Sequence, residues 1–385
     1  MKKKLIVSLI VAFVYTTLLS SCSGNNQKRE TSNFIIEDTV KCLPVFDISK
    51  RVSRNELPFH WNDISSNVKL IQLETVNESL LSESIYLVYE DENLIIIADG
   101  RTQTIFIFDS NGKFKSKIRK VGNGPGDYVY LTYVTFDADN STILVFDNGN
   151  QKIISYDLKG THMGSKSTKD KIYGNVLLME KGKIITMNTR GEYQISLFDA
   201  AFNILKEYLP FDPNFTDREK SITLLSCGRG RTKEYIVLNN IFCDTIYSFS
   251  AISHSPIAIW DKGRKELPKK DLGDFLNLLR QENSYIVPRG IDRFSHFLLI
   301  RYIHQGLYIT TLWDFHNNKV IAEYKNDLNG GGRAGFPYKL ESGENINILP
   351  AILTEKKLAF FIPAADLPQI EDDDNPMLMI MEINE

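Results

Sequence analysis

The stretch that decides the fold is Leu94-Ile95-Ile96-Ile97-Ala98-Asp99, followed after a polar turn by Ile105-Phe106-Ile107-Phe108-Asp109. The phrase returns as Ile143-Leu144-Val145-Phe146-Asp147 and Ile153-Ile154-Ser155-Tyr156-Asp157. Asp99 and Asp147 stand 48 residues apart, and so do Asp109 and Asp157, so both halves of the phrase shift together. A hydrophobic phrase recurring at fixed spacing marks an array of one structural unit. Weaker copies follow at Ile184–Asn188 with Ile195–Asp199, Tyr235–Asn239 with Ile246–Ser250, Phe297–Ile300 with Thr311–Asp314, and Leu358–Ile362 with Met377–Met381. Six pairs are legible.

Each unit reads as a four-stranded antiparallel meander. In the first, Ile85–Tyr89, Leu94–Ala98, Ile105–Phe108 and Phe114–Arg119 are the strands, with Asp91-Glu92-Asn93, Asp99-Gly100-Arg101 and Asp109-Ser110-Asn111-Gly112 between them. Asn-Gly between β-rich runs signals a hairpin because both residues tolerate positive φ. The second strand is continuously apolar and the fourth alternates, which fits a radial blade whose inner strands are covered on both faces. The chain is therefore predicted to be all-β: a six-bladed β-propeller spanning residues 67–385, at about 53 residues per blade. The sixth blade lacks an outer strand, and Val68–Leu73 precedes the first blade without a partner. Pairing Lys69–Leu73 beside Met379–Ile383 would close the ring and remove both free edges. A helix is expected at Lys269–Gln281, where Leu272, Phe275, Leu276 and Leu279 recur near a 3.6-residue period.

The first residues are a sorting signal. Lys2, Lys3 and Lys4 precede a 15-residue apolar run, Leu5–Leu19, too short for a good membrane-spanning helix. The run ends in Leu19-Ser20-Ser21-Cys22, which resembles the lipobox of bacterial lipoproteins. That resemblance implies cleavage after residue 21 and acylation of Cys22, and two or three acyl chains hold a protein durably at a membrane. Residues 22–66 are then a lipidated tether and N-terminal extension. Ser23 after the cysteine and the lack of an acidic run imply an outer-membrane lipoprotein that faces the periplasm rather than the cell surface. Three further cysteines, Cys42, Cys227 and Cys243, lack CxxC spacing and are expected to be free thiols, with a Cys227–Cys243 pair as the alternative.

From Leu70 to about Gly160 the chain resembles the six-bladed β-propeller lipoproteins of Bacteroidetes, relatives in fold of the NHL-repeat propellers. Leu73-Glu74-Thr75, Gly112-Lys113-Phe114 and, above all, Gly122-Asn123-Gly124-Pro125-Gly126-Asp127-Tyr128 carry the resemblance. It implies a fold and an envelope location and transfers no catalytic residues.

Chemistry is less legible. A net charge of −3 gives no reason to expect nucleic acid. The loop Gly122–Gly126 precedes strand residues and lacks a following Lys-Ser/Thr, so it reads as an inter-blade turn rather than a phosphate cradle. The recurrent Asp99, Asp147, Asn188 and Asn239 read as turn residues, and Glu371–Asp374 as solvated charge. No histidine pair has metal-ligand spacing, and no cofactor is implied. The sequence places Arg101, Asp127, Tyr128, Arg190 and His304 on the disc face shared by the loops joining second to third strands and by the inter-blade linkers. They are the candidate ligand-binding residues, and Cys227–Arg231 is expected as a loop on the opposite face. The expected role is a monomeric, lipid-anchored module binding a glycan, a peptide or an envelope protein. The alternative is a metal-dependent hydrolase or lyase with its site at the channel mouth.

Overall fold

The computed structural model describes residues 43–48, 58–169, 172, 174–180, 182–225, 228–231, 236–239, 242–268, 284–327, 335–367, 371 and 373–384. Six antiparallel four-stranded sheets follow one another as blades. Blade one is Ile85–Glu90, Leu94–Asp99, Thr104–Asp109 and Phe114–Ile118, and blade two is Tyr133–Asp137, Thr142–Asp147, Lys152–Tyr156 and His162–Ser167. Blade three is Gly174–Glu180, Lys183–Asn188, Tyr193–Asp199 and Ile204–Pro210. Blade four is Gly228–Arg231, Ile236–Asn239, Thr245–Phe249 and His254–Asp261. Blade five is Val287–Phe294, Phe297–His304, Leu307–Asp314 and Lys319–Asp327. Blade six takes Ala351–Ile352, Lys357–Ile362 and Met377–Ile383 from the C-terminal end and Ser65–Gln72 from the N-terminal side.

Burial follows the radial logic of the pattern. In blade one, Ile95, Ile96, Ile97 and Ala98 of the second strand are all fully buried, whereas the fourth strand alternates. The cores lie between blades: Ile96, Ile107, Val134, Val145 and Ile154 join blades one and two. Leu73, Ile95 and Phe106 pack with Ala359 and Leu378 to join blade one to blade six.

Ring closure is as expected, with Lys69 opposite Ile380, Leu70 opposite Met379, Ile71 opposite Leu378 and Gln72 opposite Met377. Asn375 locks it. Its Nδ2 donates to the carbonyls of Glu74 and Ser79, both at 2.9 Å, while its Oδ1 accepts from Leu81 N at 2.9 Å and its amide donates to Thr75 Oγ1 at 2.9 Å. A buried amide with every group paired fixes geometry as well as adding stability.

The part of the N-terminal extension within the described residues belongs to the disc and is not simply a tether. Val45–Asp47 adds a parallel fifth strand to the outer edge of blade four. Trp61, fully buried, then docks on the hairpin Phe336–Lys339 and Asn345–Ile348, its Nε1 donating to the Ile348 carbonyl at 3.1 Å. That hairpin and the edge strand carry no repeat phrase. Among the described residues one α-helix appears, Asp217–Leu225, between blades three and four. Thr216 and Glu219 cap it reciprocally: Thr216 N donates to Glu219 Oε2 at 2.7 Å and Glu219 N to Thr216 Oγ1 at 3.3 Å. The Thr-x-x-Glu spacing is the sequence signal for it. The helix expected at Lys269–Gln281, like Cys22 and the sorting signal, lies outside the described residues. Among the described residues no helix is long and apolar enough to cross a membrane. Gly228–Arg231 is the first strand of blade four, which corrects its expected place in an opposite-face loop.

Candidate functional site

The loops between second and third strands and the inter-blade linkers share one face, and on that face the repeated acids are consumed by structure. Asp99 accepts from the amides of Ser82, Arg101 and Thr102 at 2.9–3.0 Å and from the Ser82 hydroxyl at 2.7 Å. Burial alone would raise its pKa, but these donors hold the carboxyl below its ordinary value. Asp147 binds the linker amides of Val129 and Tyr130 and, from its own turn, Gly149 N at 3.1 Å and Asn150 Nδ2 at 2.9 Å. Each acid staples the linker entering a blade to that blade's own hairpin.

The glycine-proline loop is a turn of the same kind. Gly124 N donates to the Asp127 carboxylate at 3.0 Å, and a Cβ on Gly122 would meet that carboxylate at 2.6 Å. The carbonyls of Gly124, Pro125 and Gly126 accept from Lys152, Ser165 and Tyr156 at 2.6–3.0 Å. Asp127 thus holds the loop that the phosphate reading would have offered to a ligand.

The other candidate residues do not form one group. Tyr128 is fully buried, donates to the Gln103 carbonyl at 2.8 Å, and burial pushes its pKa up to about 12. His304 is also buried. Its Nε2 lies 3.1 Å from Lys265 Nζ and its Nδ1 3.1 Å from the Tyr285 carbonyl. An ammonium only donates and a carbonyl only accepts, so the proton sits on Nδ1. Arg101 and Arg190 are exposed in the hairpin turns of blades one and three. The structure gives Tyr128, Asp127 and His304 packing and turn roles, and it leaves the two arginines apart.

A different site opens on the same face, at the seam of blades three and four. A cavity of about 240 Å³ is lined by Gln194, Leu209, Pro210, Asp212, Phe215, Phe242, Cys243 and Tyr247. Phe215, from the linker that leads into the helix, meets Phe242 of the blade-four hairpin edge-on at 6.1 Å. Leu209 holds φ +54, a left-handed conformation that costs a non-glycine residue about 1–2 kcal/mol. Such strain concentrates at functional positions.

A buried cation sets the blade-four wall. The Lys262 side chain is 0% exposed and donates to Asp244 Oδ1 at 2.7 Å and to the Cys243 carbonyl at 3.3 Å, with its Nζ 5.1 Å from the Trp260 ring centroid. Asn239 supports the same turn, donating from Nδ2 to the carbonyls of Cys243 and Thr245 at 2.8 and 3.1 Å. Its Oδ1 is buried without a partner. Cys243 is a free thiol at the cleft, while Cys42 and Cys227 lie outside the described residues. Sequence reasoning missed the cleft because its aromatics lie in linkers and turns, outside the repeated phrase.

Residues 43–382 match the model of a family described as a domain of unknown function, DUF4934. The chain belongs to this family. No curated protein matches it. Among solved structures, this DUF4934 chain is similar to a Bacteroides fragilis protein provisionally named an exported protein, with a TM-score of 0.62 and 15% identity, covering 85% of this chain and 97% of that one. It is also similar to a Bacteroides vulgatus member of the DUF4221 family, with a TM-score of 0.51 and 12% identity over 86% and 99% of the two chains. At these identities the likeness shows the DUF4934 fold alone. Among the described residues, no three His, Cys, Asp or Glu side chains group so as to hold a metal ion.

Proposed function

We propose that this DUF4934 propeller is a lipid-anchored binding module of the cell envelope that takes a saccharide ring in the cleft between blades three and four. One observation carries the reading: aromatic side chains Phe215, Phe242 and Tyr247 converge with Gln194 and Asp212 around a single cavity. Aromatic faces cover the C–H faces of a sugar, while an amide and a carboxylate address its hydroxyls, the usual division between apolar walls and a few placed polar groups. Pockets for drug-sized ligands run to roughly 300–1,000 Å³, so a cavity of about 240 Å³ suits one ring or chain end.

The anchor reading rests on Lys2–Lys4, the apolar run Leu5–Leu19 and Cys22. A fold shared with a Bacteroides protein named for export is in keeping with it. Metabolic labelling with a fatty-acid analogue should mark the chain and leave Cys22→Ala unmarked. Fractionation should then place the labelled chain in the outer membrane, and a protease added to intact cells should spare it.

The ligand reading is tested by isothermal titration of the mature chain against neutral mono- and oligosaccharides and against short peptides. Saturable binding of a saccharide, weakened about tenfold or more by Tyr247→Ala or Phe242→Ala with an unchanged thermal midpoint, supports it; a tenfold loss corresponds to about 1.4 kcal/mol of contact. Binding of peptides alone, or saccharide binding indifferent to both substitutions, overturns it.

A further inference from the structure

The charge around the aromatic cleft is one-sided. Of the side chains that line it, Asp212 alone is charged, and none is a lysine, arginine or histidine. Asp212 Oδ1 accepts from Asn214 N at 3.0 Å and from Asn214 Nδ2 at 3.1 Å. Both donors use the same oxygen, so among the described residues Oδ2 is the one left for a ligand, on a half-buried side chain. A second carboxylate stands within electrostatic reach. The Thr216 amide and hydroxyl hold the Glu219 carboxyl below its ordinary value, and the like charge of Asp212 works against that shift.

Two lysines tied to the same segments are spent elsewhere. Lys262 is fully buried with its charge on Asp244. Lys220, in the helix after Phe215, donates to the Gly191 carbonyl at 2.7 Å and stands 4.0 Å from Asp217, with its Nζ 5.6 Å from the Phe211 ring centroid. The carboxylate of the cleft therefore faces aromatic rings rather than a protein cation. Phe215 and Phe242 meet with 63° between their planes, so one turns its face and the other its edge to their common corner. Both are half-buried, as is Tyr247 on the third strand of blade four. An aromatic face carries negative charge density and attracts an ammonium within about 6 Å of its centroid. Aromatic faces beside a carboxylate are what an organic ammonium requires: the acid accepts its N–H donors, and the rings cover the carbons next to it. The same set repels an anionic ligand, because no cation lines the cleft to offset Asp212.

We infer that the ring preferred by the cleft is an amino sugar with a free, protonated amine, held by the Asp212 carboxylate and covered by Phe215, Phe242 and Tyr247. The inference rests on the saccharide reading of this cleft and narrows it to one ligand class. Neutral sugars enter the same cleft and bind more weakly, since they leave Asp212 without an ionic partner.

The test is titration of the mature chain, at low ionic strength, with glucosamine, glucose, N-acetylglucosamine and choline. Glucosamine should bind about tenfold or more tighter than glucose or N-acetylglucosamine, the worth of one charge-assisted hydrogen bond. Asp212→Asn should abolish that preference, bringing glucosamine to the affinity of glucose; a merely structural effect would weaken both sugars alike and keep their ratio. The preference should also fade as pH rises through the ionisation of the ligand's amine. Equal binding of the three sugars, all weakened by Phe242→Ala, overturns this inference and leaves the saccharide reading standing. Glucosamine preference that survives Asp212→Asn overturns it as well, and choline binding tighter than glucosamine shows that the ammonium is taken without the ring and overturns the sugar assignment. Absence of binding by all four overturns the inference and the saccharide reading together. Thermal midpoints of each variant separate lost binding from lost folding.

Discussion

Blades one and two differ from blades three and four in the residue that ends the second strand, and the aromatic cleft lies at the seam of the two blades in which that residue is an amide. In the first two blades the second strand ends in an acid. Asp99 and Asp147 each accept from their own hairpin and from the linker entering the blade. In the next two the strand ends in an amide. Among the described residues, Asn188 bonds the Tyr193 carbonyl and Ser196 Oγ, and Asn239 bonds the Cys243 and Thr245 carbonyls, all within their own hairpins. A carboxylate only accepts and so gathers backbone amides from two segments, whereas an amide divides its capacity between donor and acceptor. The linker into blade four is accordingly free to run out through Phe215 and a helix, and the aromatic cleft lies at that seam.

The strongest attempt to break this comparison is Asp147→Ala. Several amide donors lose one buried acceptor, and leaving such groups unpaired costs about 1–3 kcal/mol each, partly recovered by water. A loss of about 3 kcal/mol in chemical denaturation is expected, and a loss under 1 kcal/mol would mean the staple is dispensable. Asn239→Asp tests the other side. It would set a buried carboxylate against the Cys243 and Thr245 carbonyls, acceptor against acceptor, at a cost of about 2 kcal/mol. Unchanged or improved stability would show that the amide is a drifted acid rather than a different device.

Acid titration sharpens the same contrast. The folded pKa of Asp99 lies below its ordinary value, so its contribution is fully present above the unfolded-state value near 3.8 and is lost as pH falls through the lower folded one. The stability gap between the native chain and Asp99→Asn should be flat from pH 7 to about 5 and narrow only below about 4. A gap that already closes by pH 6 would assign the effect to another group.

How much was legible in the sequence follows from the same physics. The blades could be read because buried strands need long apolar runs and every hairpin needs a turn residue, so the requirement repeats six times. Ring closure could be read from an unpartnered strand at one end and a missing one at the other. The edge strand Val45–Asp47 and the Trp61 docking segment were not legible, since each is made once and is defined by the surface it meets. The same holds for the candidate site. Tyr128 and His304 look like rim residues in sequence, yet one is packed by an inter-blade core and the other is held between Lys265 and the Tyr285 carbonyl. Phe215, Phe242 and Leu209 come from three segments with no common pattern, and only the fold brings them together. The Thr216-x-x-Glu219 capping box was the one local sign that blade three is followed by something other than a plain linker.

The smallest expected effect concerns blade four, where the second acid of the phrase is missing. Asp109, Asp157 and Asp199 each accept from the amides two and four residues on, at 2.7–3.0 Å. Blade four has Ser250 instead, which invites the thought that a site lies where the phrase breaks. Ser250 Oγ nevertheless accepts from Ile252 N at 3.3 Å and Ser253 N at 3.0 Å, closing the same turn with a hydroxyl in a hairpin one residue shorter. Ser and Asp are interchangeable in such side-chain-to-backbone turns, the acid being the stronger acceptor. Ser250→Asp should therefore change stability by no more than about 0.5 kcal/mol and leave saccharide titration of the cleft untouched. A large change in either would return blade four's hairpin tip to the functional surface and move the site outward from the seam.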